Sequence, residues 1–152
     1  MPPQKNEIDN GQAASLKLLV VLSKAYKTVM DRAVKDMKRH GFSASEFTAL
    51  EVLYHKGRIP LQQIGEKILV TSGSITYNID KLERKGYLKR VPCEEDRRVI
   101  YAELTADGRA LFDRIFPEHQ AVVHDMMGVL SEDEKELATA LLKKLGKGAE
   151  KG

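Results

Sequence analysis

The chain has 152 residues, of which 42% are hydrophobic and 31% charged, a composition typical of one folded globular domain rather than a disordered chain. Its longest uncharged apolar run, residues 18–22, is far shorter than the roughly 20 residues that cross a bilayer. The first ten residues lack the order of a secretory signal, and the single cysteine, Cys93, excludes an intrachain disulfide. We therefore expect a cytoplasmic, reducing setting and no membrane partner.

The net charge of +3 comes entirely from the middle of the chain. Residues 58–101 contain nine basic and six acidic side chains, whereas the rest of the chain holds sixteen of each sign. Such a surplus is ordinary for a solvated surface, but it indicates where a polyanion would bind. Because aromatic residues are only 6% of the chain and tryptophan is absent, the core is predicted to be mostly Leu, Ile, Val and Met.

A first helix is predicted over residues 12–39, after a flexible start. Apolar residues recur there at steps of three or four, and further ones widen the apolar surface beyond a single face. These residues are Leu18, Leu19, Val21, Leu22, Ala25, Tyr26, Val29, Met30, Ala33, Val34 and Met37. So broad a surface predicts contact with a second subunit as well as with the core.

Three shorter helices are predicted next. Ser43 and Glu46 have the spacing of a capping box that begins the second helix. Pro60 is placed to open the third helix, and residues 72–85 form the fourth, which ends at Gly86.

The hydrophobic period then changes to that of strands. Residues 88–91 and 99–104 are predicted to form a hairpin around a polar loop at 92–97. A long helix over residues 105–130, interrupted or bent at Pro117, follows. A second capping box, Ser131 with Glu134, begins the last helix.

The start of the fourth helix carries a cluster of small polar side chains. Two short helices joined by a tight turn form a helix-turn-helix, whose second helix enters the major groove of DNA. Hydroxyl and amide groups on that helix can bond to base edges and phosphates. The candidate DNA-binding residues of this segment are Thr71, Ser72, Ser74, Thr76, Tyr77, Asn78 and Lys81. The alternative is a serine- and threonine-rich N-cap without any ligand.

The hairpin loop ends in two adjacent arginines, Arg97 and Arg98. A guanidinium at the tip of a projecting hairpin can enter a narrow, A·T-rich minor groove, where the potential is most negative. Asp96 is placed to orient Arg98 through a charge-assisted hydrogen bond. The alternative is an ordinary loop with charges of both signs.

These residues resemble the MarR family of winged-helix transcriptional regulators. The run Asp96-Arg97-Arg98, then Leu104-Thr105 and Gly108, is similar to the family's wing signature. Residues 75–76 and 82–88 look like its recognition helix and the exit from it, and residues 42–47 like the opening of its second helix. Many members carry an arginine after the equivalent of Thr76, where this chain has Tyr77. Tyrosine cannot make the bidentate guanine contact of arginine, so the usual operator sequence does not transfer.

The resemblance implies a mainly α fold with a small β-hairpin wing, a winged helix-turn-helix flanked by N- and C-terminal dimerisation helices. It implies a DNA-binding domain at residues 41–108 and a helical dimerisation region at 11–40 and 109–147, with flexible ends at 1–10 and 148–152. The expected partners are a second copy of the chain and double-stranded DNA with an inverted-repeat operator. The expected activity is repression, with no cofactor.

In many members a small aromatic or phenolic compound binds between the dimerisation helices and the DNA-binding lobe and releases the DNA. The resemblance implies the same here. The apolar and aromatic candidates near that junction are Tyr26, Met30, Phe47, Tyr54, Phe112 and Met126. Each of them is also a candidate for ordinary core packing.

The same residues leave other functions to consider. Tyr77 and Lys81 have the spacing of a dehydrogenase pair, but no glycine-rich nucleotide-binding turn accompanies them. His119 and His124 are five residues apart, so they do not share a helix face for a metal. Cys93, close in sequence to Arg90, Arg97 and Arg98, is a candidate oxidant or quinone sensor, since nearby cations favour a thiolate. A winged helix that docks proteins without binding DNA is a further alternative.

Overall fold

The computed structural model describes residues 9–67 and 75–151. The helices are α1 (Asn10–Arg39), α2 (Ala44–Lys56), α3 (Leu61–Lys67), α4 (Ile75–Arg84), α5 (Ala106–Met127) and α6 (Glu132–Ala149). The strands are β1 (Ile59–Pro60), β2 (Leu88–Pro92) and β3 (Ile100–Leu104). The described part of the chain is thus mainly α-helical with one small sheet, which confirms the predicted fold class.

Local side-chain caps explain where the helices begin. The Ser43 hydroxyl accepts from the Glu46 amide at 3.1 Å, and the Glu46 carboxylate accepts from the Ser43 amide at 3.2 Å. Ser131 and Glu134 repeat this reciprocal pair at the start of α6. Both predicted capping boxes are confirmed. Each satisfies two backbone donors that a helix N-terminus otherwise leaves unpaired.

The sheet has the strand order β1–β3–β2 and is antiparallel throughout. The predicted hairpin is confirmed as β2 and β3. The sequence does not predict the third strand, since Pro60 is placed to open α3. Instead Ile59 pairs with Ala102 and Pro60 with Tyr101, and α3 begins at Leu61. Proline is tolerated there because β1 is a short edge strand.

The core lies where α2, α4 and α5 meet the sheet. It is built from the buried apolar side chains Ala33, Met37, Phe42, Ala44, Phe47, Ala49, Leu50, Leu53, Ile59, Ile64, Ile79, Leu82, Leu88, Ala102, Phe112 and Ile115. Leucine and isoleucine are prominent, as predicted. Among the described residues valine lies at the edge of the core, where Val34 and Val52 are partly buried against it. Three of the four phenylalanines, Phe42, Phe47 and Phe112, are buried within it.

The two ends of the chain differ in detail from the prediction. Asp9 caps α1 by accepting from the Gln12 amide at 2.7 Å, so the helix begins at Asn10, inside the segment predicted to be flexible. At the other end α6 continues to Ala149, two residues into the predicted tail. The long helix α5 is continuous through Pro117 rather than interrupted there.

A long apolar surface on α1 and α6 faces solvent in the isolated chain. It consists of large apolar side chains that are 42–63% exposed: Leu16, Leu18, Leu19, Val20, Val21 and Tyr26 on α1, and Leu137, Leu141, Leu142 and Leu145 on α6. An exposed apolar surface of this extent marks an association site. No described helix is long and apolar enough to cross a membrane.

Candidate nucleic-acid interface

Helix α4 divides into an inner and an outer face. Ile79 and Leu82 are buried against the core, whereas Thr76 and Tyr77 point outward. Tyr77 is 59% exposed, so its ring and hydroxyl are available to a ligand. The predicted contacts Thr71, Ser72 and Ser74 lie outside the described residues.

Asn78 corrects the predicted interface. This residue is only 5% exposed, so its amide lies on the inner face of α4 and does not present itself to a DNA groove in this structure. The helical period explains this, because position 78 falls with Ile75, Ile79 and Leu82 at steps of three and four. The polar residue type predicts an exposed contact, but the position of Asn78 in the helical period decides its burial.

Lys81, a predicted DNA contact, forms an ion pair with Glu46. Its ammonium lies 3.4 Å from Oε1 of Glu46, and the ammonium of Lys85 lies 3.4 Å from Oε2 of the same carboxylate. Burial alone would raise the pKa of Glu46. The hydrogen bonds from Ser43 and the charges of Lys85 and Lys81 outweigh burial and hold that pKa below its usual value.

A second ionic contact joins α4 to the wing, which is the β2–β3 hairpin with its loop. The Arg90 guanidinium on β2 bonds to Asp80 at 2.5 Å and to Glu83 at 2.7 Å, and the Arg90 amide also donates to Glu83. The hydrogen bond to Asp80 is the first cause that raises the pKa of Arg90. Because one side chain holds two residues of α4, the wing and that helix form one unit.

The wing loop presents Arg98 to solvent in a fixed orientation. The Asp96 carboxylate accepts from Arg98 Nε at 3.1 Å, from its terminal nitrogen at 3.2 Å and from its amide at 3.0 Å. The hydrogen bonds from the Arg98 guanidinium, and to a smaller extent the bond from its backbone amide, lower the pKa of Asp96. The Arg98 side chain is nevertheless 90% exposed. The predicted contact between Asp96 and Arg98 is therefore present.

The neighbouring Arg97 is exposed and makes no ion pair with a described residue. By contrast, Arg58 and Lys89 both form ion pairs with the Glu103 carboxylate. The distances are 3.0 Å from Arg58 Nε and 3.4 Å from the Lys89 ammonium. Much of the basic surplus of the middle segment is thus neutralised within the fold. The sequence alone does not reveal which carboxylates pair with these cations, because the partners are distant in sequence or in another element. These carboxylates are Glu46, Asp80, Glu83 and Glu103.

A cavity of about 850 Å³ lies between α1 and α5 in the described part of the chain. Met30 and Met126, two of the predicted effector residues, line it together with Phe116 and His119. Its walls are mostly apolar, and the His119 ring is fixed because Nδ1 lies 2.8 Å from the buried Asp36 carboxylate. A concave, apolar space with a few polar groups is typical of small-molecule sites.

Four of the six predicted effector residues do not line this cavity. Phe47 and Phe112 are fully buried core residues whose ring centroids lie 5.1 Å apart. The Tyr54 hydroxyl donates to Asp113 at 2.5 Å, and Tyr26 lines a separate surface depression on α1. Residue type alone does not distinguish aromatic rings that pack in the core, such as Phe47 and Phe112, from those that line the cavity, such as Phe116.

Cys93 is half-buried just after the end of β2, where its amide donates to the Val99 carbonyl at 3.1 Å. Two of the arginines expected to favour its thiolate, Arg90 and Arg98, are bound by carboxylates. No group of three or more potential metal ligands occurs in the described part of the chain.

Comparison with known proteins agrees with this geometry. The model of the MarR family matches residues 42–100. The HTH-type transcriptional regulator MhqR of Bacillus subtilis is 51% identical over 135 residues, which cover 89% of this chain and 93% of MhqR.

Two solved structures share the fold. One is a mutant of Escherichia coli MarR complexed with operator DNA (TM-score 0.70, 22% identity, 84% of this chain and 94% of that one). The other is NadR with 4-hydroxyphenylacetate (TM-score 0.71, 21% identity, 97% and 99%). The 51% identity to MhqR and the match to the family model show that the chain belongs to the MarR family of winged-helix DNA-binding transcriptional regulators, which are not enzymes.

Proposed function

We propose that the chain acts in the cytoplasm as a homodimeric repressor that binds an inverted-repeat operator in double-stranded DNA. The observation that carries this proposal is the wing tip, where Asp96 orients the exposed Arg98 guanidinium. A preoriented guanidinium loses little freedom on entering a minor groove. The exposed Tyr77 on α4 supplies the major-groove contact, to a phosphate or a thymine methyl group.

The dimer is inferred from the exposed apolar surface on α1 and α6. Burying it between two copies removes the leucines and valines of both chains from water. Two-fold symmetry then places the two α4 helices on successive major grooves, about one helical turn apart, with each wing beside a minor groove. The operator-bound structure of MarR, which has the same fold, supports this arrangement at the level of architecture.

The test is binding of the wild type and Arg98→Ala to a labelled duplex of the DNA upstream of the chain's own gene. We expect Arg98→Ala to weaken binding about tenfold or more, because it removes a charge-assisted contact that becomes buried in the DNA complex. The dimer should stay intact in size-exclusion chromatography. Glu136→Ala on the exposed side of α6 is the control and keeps wild-type affinity. Equal affinity for Arg98→Ala and the wild type would remove the wing from the interface and favour a protein-docking function.

Release of DNA by a small aromatic or phenolic effector is the finer part of the proposal. The cavity between α1 and α5 supports it, because it is large enough for such a compound and is lined by Met30, Phe116 and Met126. NadR, with the same fold, was solved with 4-hydroxyphenylacetate.

The assay titrates the operator complex with a panel of phenolic acids that begins with 4-hydroxyphenylacetate. We expect at least one of these compounds to release the wild type from DNA. Met126→Trp, which fills the cavity, is expected to keep DNA binding but lose this response. An unchanged response in Met126→Trp would place the effector outside this cavity. The alternative redox function is tested by adding a quinone to the operator complexes of the wild type and of Cys93→Ser.

A further inference from the structure

Glu46 is the charged residue that joins the start of α2 to the end of α4. Its side chain is only 3% exposed, and both carboxylate oxygens have a lysine ammonium at 3.4 Å, Lys81 on one and Lys85 on the other. The same carboxylate accepts the Ser43 amide in the capping box. A buried carboxylate with this many partners stays ionised and holds those partners in place.

Lys81 lies in the last turn of α4, four residues after the exposed Tyr77 and on the same side of the helix, and Lys85 follows just after the helix ends. Lys85 is further fixed by the Phe42 ring, whose centroid lies 5.2 Å from its ammonium. Both lysine side chains remain more than a third exposed. They are therefore restrained at the margin of the candidate interface rather than removed from it.

We propose that Glu46 is a positioning residue that limits how many phosphates each subunit neutralises, by holding Lys81 and Lys85 back from the duplex. This inference rests on the proposed DNA-binding function and refines it. With Glu46 ionised, contact with the operator depends on the exposed Tyr77 of α4 and on the wing. Without that charge, two ammonium groups per subunit become available to the phosphate backbone, which carries no sequence information.

The experiment measures the salt dependence of binding to two labelled duplexes of about 30 base pairs, long enough for two half-sites one helical turn apart. One duplex is the upstream DNA and the other a scrambled sequence. The variant Glu46→Gln keeps the capping box, since glutamine serves at that position as well as glutamate. Each added phosphate contact steepens the plot of log affinity against log salt by about 0.9.

We expect Glu46→Gln to steepen the slope by about 2 to 4 and to bind the scrambled duplex more tightly at low salt. Its preference for the upstream duplex should fall accordingly. The triple variant Glu46→Gln, Lys81→Gln, Lys85→Gln should show no steepening, because the lysines that cause it are gone. Glu103→Gln removes the same single negative charge but frees Arg58 and Lys89 instead. It is the control that separates a general loss of negative charge from the release of Lys81 and Lys85.

A purely structural role for Glu46 would weaken binding at every salt concentration with an unchanged slope, and that result would overturn the inference while leaving the proposed function intact. Steepening that persists in the triple variant would also overturn it. Failure of the wild type to bind either duplex at any salt concentration would instead refute the proposed function, and this inference with it.

Discussion

Gly108 in the first turn of α5 offers a sharp test of how the wing is attached to the long helix. A Cβ placed on Gly108 would lie 1.9 Å from the Tyr87 carbonyl oxygen and 2.8 Å from its carbonyl carbon, where ordinary contacts begin at 3.4 Å. That oxygen cannot easily retreat, because it accepts the Thr105 amide at 3.1 Å. The Tyr87 ring is also packed edge-on against Phe42. Gly108→Ala therefore requires α5 to move away from the residue that leads into β2.

The magnitude follows from these contacts. Forcing a methyl group into a packed site costs about 1–3 kcal/mol, and weakening the Thr105 hydrogen bond adds about 1 kcal/mol. For a chain of this size the sum lowers the melting temperature by roughly 5–15 °C. Urea unfolding followed by circular dichroism, at one fixed protein concentration, measures the free energy of unfolding.

Gly146→Ala in α6 is the matched control, because nothing lies within 4 Å of the added Cβ. Alanine is the better helix former there by about 0.5–1 kcal/mol, so this variant should be at least as stable as the wild type. A Gly108→Ala midpoint equal to that of the wild type would refute the close approach of α5 to Tyr87.

Two further predictions concern ionisation and assembly. The hydrogen bond to Asp113, followed by burial, raises the pKa of Tyr54 above its usual value of about 10. That bond stabilises the fold below the unfolded-state pKa and is lost as the pH rises through the folded one. Asp113→Asn should therefore lower the pKa of Tyr54 in an ultraviolet titration, and an unchanged titration would contradict the bond. Leu141→Lys, in the α6 part of the exposed apolar surface, should convert the dimer to monomers in light scattering, whereas Thr139→Lys on the same helix should not.

The features that could be predicted from the sequence are those set by local chemistry. Both capping boxes depend on residues three positions apart, and their hydrogen bonds form as expected. The bond between Asp96 and Arg98 spans two residues and could be predicted for the same reason. The spacing of Ile75, Ile79 and Leu82 defines the buried face of α4, and the same spacing places Asn78 on that face.

The features that could not be predicted join residues distant in sequence. Ile59 becomes a strand residue only because Ala102 lies beside it. The sequence predicts that Lys81 contacts DNA, because its partner, Glu46, is 35 residues away and the local pattern places Glu46 only in a capping box. The division of aromatic rings between core and cavity likewise depends on how α2 and α5 pack, which residue type alone does not specify.

We propose that two copies of this chain together bind one DNA duplex. Sedimentation velocity of the chain mixed with fluorescently labelled upstream duplex tests it most directly, since the labelled species reports its own mass. We expect a single fast species with two chains per duplex, which dissociates as salt is raised. A duplex that sediments at its free rate beside monomeric protein would contradict it.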